Sequence, residues 1–153
     1  MAQIIYNSPI GALAIVSDGE FITELRFKNH LETQDKSDEI IKKCVAELEL
    51  YFAGKLQAFT VPIKPSGTDF QKIVWEELEK IPYGEVISYK ELAKRINNPK
   101  AIRAVGGANN RNPISIIIPC HRVIGMNGKL VGYGGGLENK EFLLNHESKI
   151  ITV

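Results

Sequence analysis

The sequence predicts an α+β chain made of two small domains, and three features carry that expectation. The first third alternates short β-prone runs with turn residues and then offers one amphipathic helix. Residues 62–69, PIKPSGTD, are rich in proline, glycine and polar side chains and lack periodicity, the composition of a linker. Beyond them the apolar spacing turns helical. The expected division is a small N-terminal α/β domain at 1–64 and a mostly helical domain at 68–153. A chain of 153 residues, 44% hydrophobic and 24% charged, suits such a globular pair.

In the first domain IIY, ALAIV and ITELRF are the β-prone runs. SPIG and SDGE separate them and predict hairpins. SDEIIKKCVAELELYFAG follows, with Ile40, Ile41, Cys44, Val45, Leu48, Tyr51 and Phe52 at helical spacing. Ser37 is placed to cap this helix, acids fill its first turn and Gly54 ends it. Cys44 falls on the apolar stripe, where a thiol acts as a small buried hydrophobe.

The second domain opens with TDFQ, a Thr68–Gln71 capping box, and a stripe of Phe70, Ile73, Val74, Leu78 and Ile81. PYGE breaks that helix. SYKE is a second box, Ser88 with Glu91, opening YKELAKRI. NNP stops it, and Asn98 with Pro99 is placed to start KAIRAVGGANN. Two short helices across a tight turn suggest helix-turn-helix. Ala101, Ala104, Gly106, Gly107 and Ala108 leave the second helix almost bare of bulk. Its two glycines cost about 2 kcal/mol relative to alanine. Close approach to another surface, or tight helix packing inside the domain, would compensate, and both stay open. ISIII then reads as a buried strand that Pro119 ends. PCHRV, a glycine-rich loop GYGGG and an amphipathic LENKEFLLNHE complete the chain.

Charge is unevenly spread. Residues 1–66 carry a balance of −2 and residues 67–153 a balance of +3. Within 88–129 stand Lys90, Lys94, Arg95, Lys100, Arg103, Arg111, Arg122 and Lys129, with Glu91 the one acid, for a balance of +7. Such a patch attracts polyanions, nucleic acid above all. The plainer alternative is a solvated surface offset by the N-terminal half. No apolar run reaches the roughly 20 residues that span a bilayer. MAQIIYNSPIG lacks the basic and apolar regions of a secretory signal. Two cysteines make no disulfide framework, and reduced thiols point to the cytoplasm. Cys44, Cys120, His30, His121 and His146 form no CxxC or HxxxH pair, so no metal site is expected. GYGGG matches no phosphate-binding fingerprint and reads as a turn.

Cys120 remains. A free thiol, with a pKa near 8.5, is only a few per cent thiolate at neutral pH. His121 and Arg122 are adjacent in sequence, but neighbours on an extended chain point to opposite faces. His121 must therefore help across a turn or through a water. From spacing alone Cys120 stays open between a packed thiol and a nucleophile.

PCHRV preceded by NPISIII resembles the active-site signature of the O6-alkylguanine-DNA alkyltransferases, the methylated-DNA–protein-cysteine methyltransferases. PYGEVISYKELAKRINNPKAIRAVGGANNRNP resembles that family's DNA-binding segment, and GYGGGLENKEFLLNHE its C-terminal part. The likeness covers roughly residues 68–147; the N-terminal third shares only length and strand-rich character. It implies a ribonuclease-H-like first domain and a winged-helix-like second one. It implies direct DNA repair, the irreversible transfer of a methyl or small alkyl group from O6 of guanine to Cys120. O4 of thymine is left open as a second position. His121 would be the base, reaching the thiol through a water, with Glu147 orienting it and Asn112 bracing the turn. Tyr89 would give a proton to the departing guanine. Arg103 would take the place of the extruded base, which must leave the stack to be reached. Ala101, Ala104, Gly106, Arg111, Arg122 and Ser88 would lie along the DNA, with Val123, Tyr133 and Gly134 at the base pocket. A helix of small residues suits a minor groove about 6 Å wide. The implied partner is double-stranded DNA, bound by a monomer without cofactor, metal or membrane. Gly134 stands where many members carry serine, and Ser115 where some carry proline. The zinc ligands of some members' N-terminal domain have no counterpart. A family branch that binds alkylated bases without repairing them usually has tryptophan in place of the cysteine. Such a non-enzymatic binder is the alternative reading, with a cysteine hydrolase as a more distant rival.

Overall fold

Alternation in the N-terminal runs settles as an antiparallel sheet. In the structure, a computed structural model, β1 (Ala2–Ser8), β2 (Gly11–Ser17) and β3 (Ile22–Phe27) lie in that order. The structure describes residues 1–31, 33–125, 128 and 130–151, with side chains of the last helix described as far as Ser148. Lys129 lies outside the described residues. Ile4 pairs with Ile15 and Leu13 with Phe27. Both expected hairpins form, and the Asp18 carboxylate closes the second by accepting from the N–H groups of Glu20 and Phe21 at 2.9 Å.

α1 (Glu39–Phe52) packs on this sheet. Leu13, Ile15, Ile22 and Leu25 from the strands and Ile41, Cys44, Leu48 and Tyr51 from the helix are fully buried. Asp38, rather than Ser37, caps the helix. One oxygen accepts from the Ile41 N–H and the other from the Ser17 hydroxyl, each at 2.8 Å, so a single carboxylate satisfies two donors. Gly54, at φ +76°, ends the helix as expected. Its N–H reaches Tyr51 O and that of Lys55 reaches Leu50 O, the paired bonds of a Schellman cap. The start of the expected linker is spent on β3: the Ile22 N–H donates to Pro62 O and the Lys64 N–H to Ile22 O, both at 2.9 Å. Residues Met1–Ser66 with Pro113–Ser115 make one compact unit, and Gly67–Asn112 with Ile116–Val153 make a second.

In the second unit α2 (Asp69–Leu78) opens with the full Thr68–Gln71 capping box. Its apolar face is turned from the expected stripe. Val74, Trp75 and Leu78 are buried, while Ile73 is 51% exposed. The indole explains the rotation: its N–H, once buried, needs an acceptor and finds Ala108 O at 2.9 Å. α3 (Tyr89–Arg95) and α4 (Ile102–Asn110) pack with α2. Ser88 caps α3 by accepting from the Glu91 N–H at 3.0 Å, but the Glu91 carboxylate pairs with Arg95. NNP stops α3 as expected, through its asparagines. Asn97 sits at φ +59°, and the N–H groups of Asn97 and Asn98 reach Lys94 O and Ala93 O. Ala101 occupies the N-cap of α4 without a side-chain cap, so Asn98 does not start that helix as expected.

The expected strand at ISIII does not form. Ile114 makes a single bridge to Leu25 within the first unit, and the chain then turns through Ile116 at φ +71°. Ile114, Ser115, Ile116 and Ile118 are buried and Ile117 partly so, and burial without alternation does not distinguish a strand from a turn. A β-branched residue at positive φ is rare and costs on the order of 1–3 kcal/mol. A short parallel pair follows, β4 (Ile87–Ser88) with β5 (Val123–Ile124), and then α5 (Leu137–Ile151). Among the described residues no helix is long and apolar enough to cross a membrane.

Candidate active site

Pro119 shapes the approach to Cys120. With φ −80° and ψ 64° it centres an inverse γ-turn, closed by the Cys120 N–H on Ile118 O at 2.8 Å. The Asn112 amide donates to the same carbonyl at 2.7 Å, bracing the turn from the end of α4. Cys120–Arg122 then form one 3-10 turn. Adjacent side chains therefore do not diverge as they would on a strand, and His121 and Arg122 both reach Glu147 of α5. His121 Nε2 lies 2.7 Å from Glu147 Oε2. Arg122 grips the carboxylate with Nε at 2.8 Å and Nη2 at 3.0 Å, and its Nη1 donates to Ile81 O at 2.7 Å. Parallel pairing of Ile87 with Val123 and Ser88 with Ile124 brings Tyr89, at the start of α3, to the same place. Its hydroxyl donates to Val131 O at 3.1 Å.

Burial and charge set the protonation states. Burial pushes the Cys120 thiol up to about 11, against a hydrogen bond from Asn112 and the charge of Lys140. The resting group is a thiol and needs a base. Burial lowers the His121 pKa against its bond to Glu147, so the ring is neutral near pH 7. With Nε2 donating to the carboxylate, Nδ1 is the ring's acceptor, and it is buried without a hydrogen-bond partner among the described residues. Burial alone would raise the Glu147 pKa, but the bonds from His121 and Arg122 outweigh it and hold the group well below the usual carboxylate range. Cys44, pushed up to about 12 by burial and then by Glu47, is an inert thiol.

Cys120, His121, Glu147, Asn112 and Tyr89 thus meet in one cluster, and Val123, directly after the 3-10 turn, is fully buried. Tyr133 is half-buried and Gly134 exposed on the following loop; a Cβ at Gly134 would meet nothing within 4 Å. Arg103, Ala104 and Arg111 lie exposed along α4, with Ala101, Gly106 and Ser88 partly so. Arg122, expected at the DNA, is instead 7% exposed, with its guanidinium committed to Glu147 and Ile81. The sequence alone does not single out two further members of the cluster. Asn109, 1% exposed, lies between Tyr89 and the Cys120 carbonyl. Lys140, fully buried, donates to Val123 O at 2.5 Å and Val131 O at 2.9 Å, and its pKa is pushed down to about 8 by burial. Spacing was the one signal for it: Lys140, Leu143 and Glu147 form an i, i+3, i+7 seam on α5. A cavity of about 550 Å³ lies in the first unit, against Gln3, Val16, Glu24 and Arg26, and holds none of these groups.

Comparison with known proteins agrees with this cluster. Residues 69–149 match the 6-O-methylguanine DNA methyltransferase DNA binding domain, and residues 1–65 the ribonuclease-like domain of the same enzymes. The chain is 51% identical to a Methanosarcina acetivorans methylated-DNA–protein-cysteine methyltransferase, over 96% of this chain and 98% of the relative. A Haemophilus influenzae protein of the same name is also 51% identical, over 93% and 83%. Among solved structures, the Mycobacterium tuberculosis O6-methylguanine methyltransferase superposes with a TM-score of 0.89 at 44% identity, covering 97% of this chain and 93% of that one. The Mycobacterium tuberculosis OGT in complex with DNA gives 0.90 at 46% identity, over 98% and 94%. A matched pair of family domains spanning nearly the whole sequence, around a PCHRV turn wired to Glu147, places the chain in the O6-methylguanine-DNA methyltransferase family.

Proposed function

We propose that Cys120 is the acceptor in direct DNA repair, taking an alkyl group from O6 of a guanine that has been rotated out of the duplex. Membership of the family makes the chain a methyltransferase acting from DNA to a protein cysteine. The reading of its own residues rests on one observation above the rest: the buried run from Cys120 through His121 to Glu147 and Arg122. His121 Nδ1 takes the thiol proton through a water, and Glu147 holds the ring in the tautomer that permits this. The sulfur then bonds to the alkyl carbon as the carbon–oxygen bond breaks. Tyr89 gives its proton to the departing base. The thioether does not release its alkyl group, so each molecule reacts once. Val123, Tyr133 and Gly134 border the base pocket.

The DNA partner is carried over from the Mycobacterium tuberculosis relative, solved in complex with DNA. Its docking surface here is the exposed face of α4, which enters the minor groove with Arg103 filling the gap in the stack. Ala101, Ala104, Gly106, Arg111 and Ser88 lie along the backbone. A Cβ at Gly107 would meet nothing within 4 Å, and one at Gly106 only the Tyr89 ring at ordinary contact distance, so packing inside the unit does not account for these glycines. The protein acts as a cytoplasmic monomer.

Intact mass after mixing with an oligonucleotide containing O6-methylguanine tests the reading. One CH2 unit should appear on Cys120, stoichiometrically and then no further, and Cys120→Ala should bind the same duplex without gaining mass. A shifted gel band with the wild-type mass unchanged would leave a lesion binder instead. Repeated turnover would point to a hydrolase.

A further inference from the structure

Asn109 belongs to the buried face of α4 and its amide nitrogen stands 3.4 Å from two oxygens, the Tyr89 hydroxyl and the Cys120 carbonyl. A carbonyl only accepts, so the amide must present its nitrogen on that side. The Tyr89 oxygen consequently accepts from Asn109, and its own hydrogen is turned elsewhere, at rest to Val131 O at 3.1 Å. The same helix packs against the ring, since a Cβ at Gly106 would lie 3.8 Å from it. Asn109 Oδ1 is buried with no hydrogen-bond partner among the described residues. An orphaned buried acceptor is costly, and an apolar side chain of the same shape would avoid it. Packing alone therefore gives no reason for an amide here, while its donor has a specific recipient. Burial raises the Tyr89 pKa, the Asn109 bond opposes that rise, and the neighbouring Cys120 charge adds to it.

We infer that Asn109 is a positioning residue for alkyl transfer: it turns the Tyr89 hydrogen toward the incoming base and stabilises the charge left on the phenol oxygen. The inference rests on Tyr89 being the proton donor. In the step concerned, sulfur bonds to the alkyl carbon and the carbon–oxygen pair passes to the purine. The purine takes the Tyr89 proton, and the phenolate keeps the Asn109 N–H. The proton first taken from the thiol by His121 later restores the phenol, so charge balances over the whole event.

The test is a double-mutant cycle read on two leaving groups. Single-turnover transfer is measured for Tyr89→Phe, Asn109→Leu and the double variant, using duplexes with O6-methylguanine and with O6-methyl-8-azaguanine, which leaves as a weaker base. Each single change should slow transfer from methylguanine at least about tenfold. The double variant should be no slower than the slower single one, and both deficits should shrink on the aza base. Losses that multiply, an Asn109→Leu deficit equal on both bases while that of Tyr89→Phe shrinks, or a wild-type rate for Asn109→Leu beside a slow Tyr89→Phe would each overturn the inference alone. A Tyr89→Phe deficit equal on both bases would overturn the proton-donor reading. A wild-type rate for Tyr89→Phe would overturn the proton-donor reading beneath it. If Asn109→Leu does not fold, Asn109→Ser, too short to reach the phenol, must show the same pattern.

Discussion

Glu147 accepts one bond from His121 and two from Arg122, so a single carboxylate orients the imidazole and neutralises a buried guanidinium. Replacing it with glutamine separates the two tasks. The Glu147→Gln amide can donate to Nε2, which moves the ring proton to Nδ1 and removes the base. It also leaves Arg122 buried without its counter-charge. Transfer should fall by about 10²- to 10⁴-fold, and stability by about 3–5 kcal/mol, measured by single-turnover rates and by urea unfolding. A rate within threefold of wild type would refute the orienting role. Acid should weaken the wild-type fold in the same way, because the His121 pKa is lowered below its ordinary value near 6.5. The unfolded chain takes up a proton there before the folded one does. Stability is full above about pH 6.5 and is lost as pH falls through the folded pKa of His121; Glu147, held low, adds a further loss below about 4.3. Cys120, His121 and Glu147 were legible as candidates because the family resemblance assigns each of them a role within PCHRV and GYGGGLENKEFLLNHE. Asn109 and Lys140 were not, because an asparagine or lysine on an amphipathic helix looks the same whether it faces water or an interior carbonyl.

At the scale of elements, caps carried most of the legible information. The Thr68 box, the Ser88 cap and Gly54 are local hydrogen bonds that short strings of sequence specify. ISIII failed for the opposite reason. Its apolar character reports burial, whereas Pro113 and Ser115 spend their backbone bonds on Leu25 of β3, a partner distant in sequence, before the chain turns at Ile116. Helix α4 combines both kinds of information: its helicity follows from spacing, its purpose from what it leaves uncovered. Gly107 has open space around its absent Cβ, so Gly107→Leu should fold as well as wild type or gain up to about 1 kcal/mol from helix propensity. If the bare face enters a groove, the same change should weaken duplex binding at least about tenfold while leaving reaction with free O6-methylguanine base near wild type. Equal losses on duplex and free base would place Gly107 in the pocket, not in the groove.

Across the whole molecule, the charge asymmetry seen in the sequence becomes sharper once burial is known. Of the basic residues in 88–129, Arg122 is internal and neutralised by Glu147, so it adds nothing to the surface field. Lys90, Lys94, Arg95, Lys100, Arg103 and Arg111 are exposed, and all belong to α3, α4 or their ends. Arg95 is partly offset by Glu91 at 3.3 Å, an exposed pair worth little by itself. Sequence alone counted charges without knowing which of them reach solvent, and so overstated the field. Among the described residues of this stretch about five effective cations remain to displace counterions from a duplex. Because each phosphate neutralised contributes about −0.9 to the slope of log affinity against log salt, the slope should be no steeper than about −5. Titrating an undamaged duplex between 50 and 200 mM salt measures it. Lys100→Ala and Arg111→Ala should each reduce the slope by about one, whereas Arg122→Ala should destabilise the fold and leave the slope of the folded fraction unchanged. A flat response in the wild type would mean that these six cations are solvated surface and that the exposed face of α4 meets no phosphate.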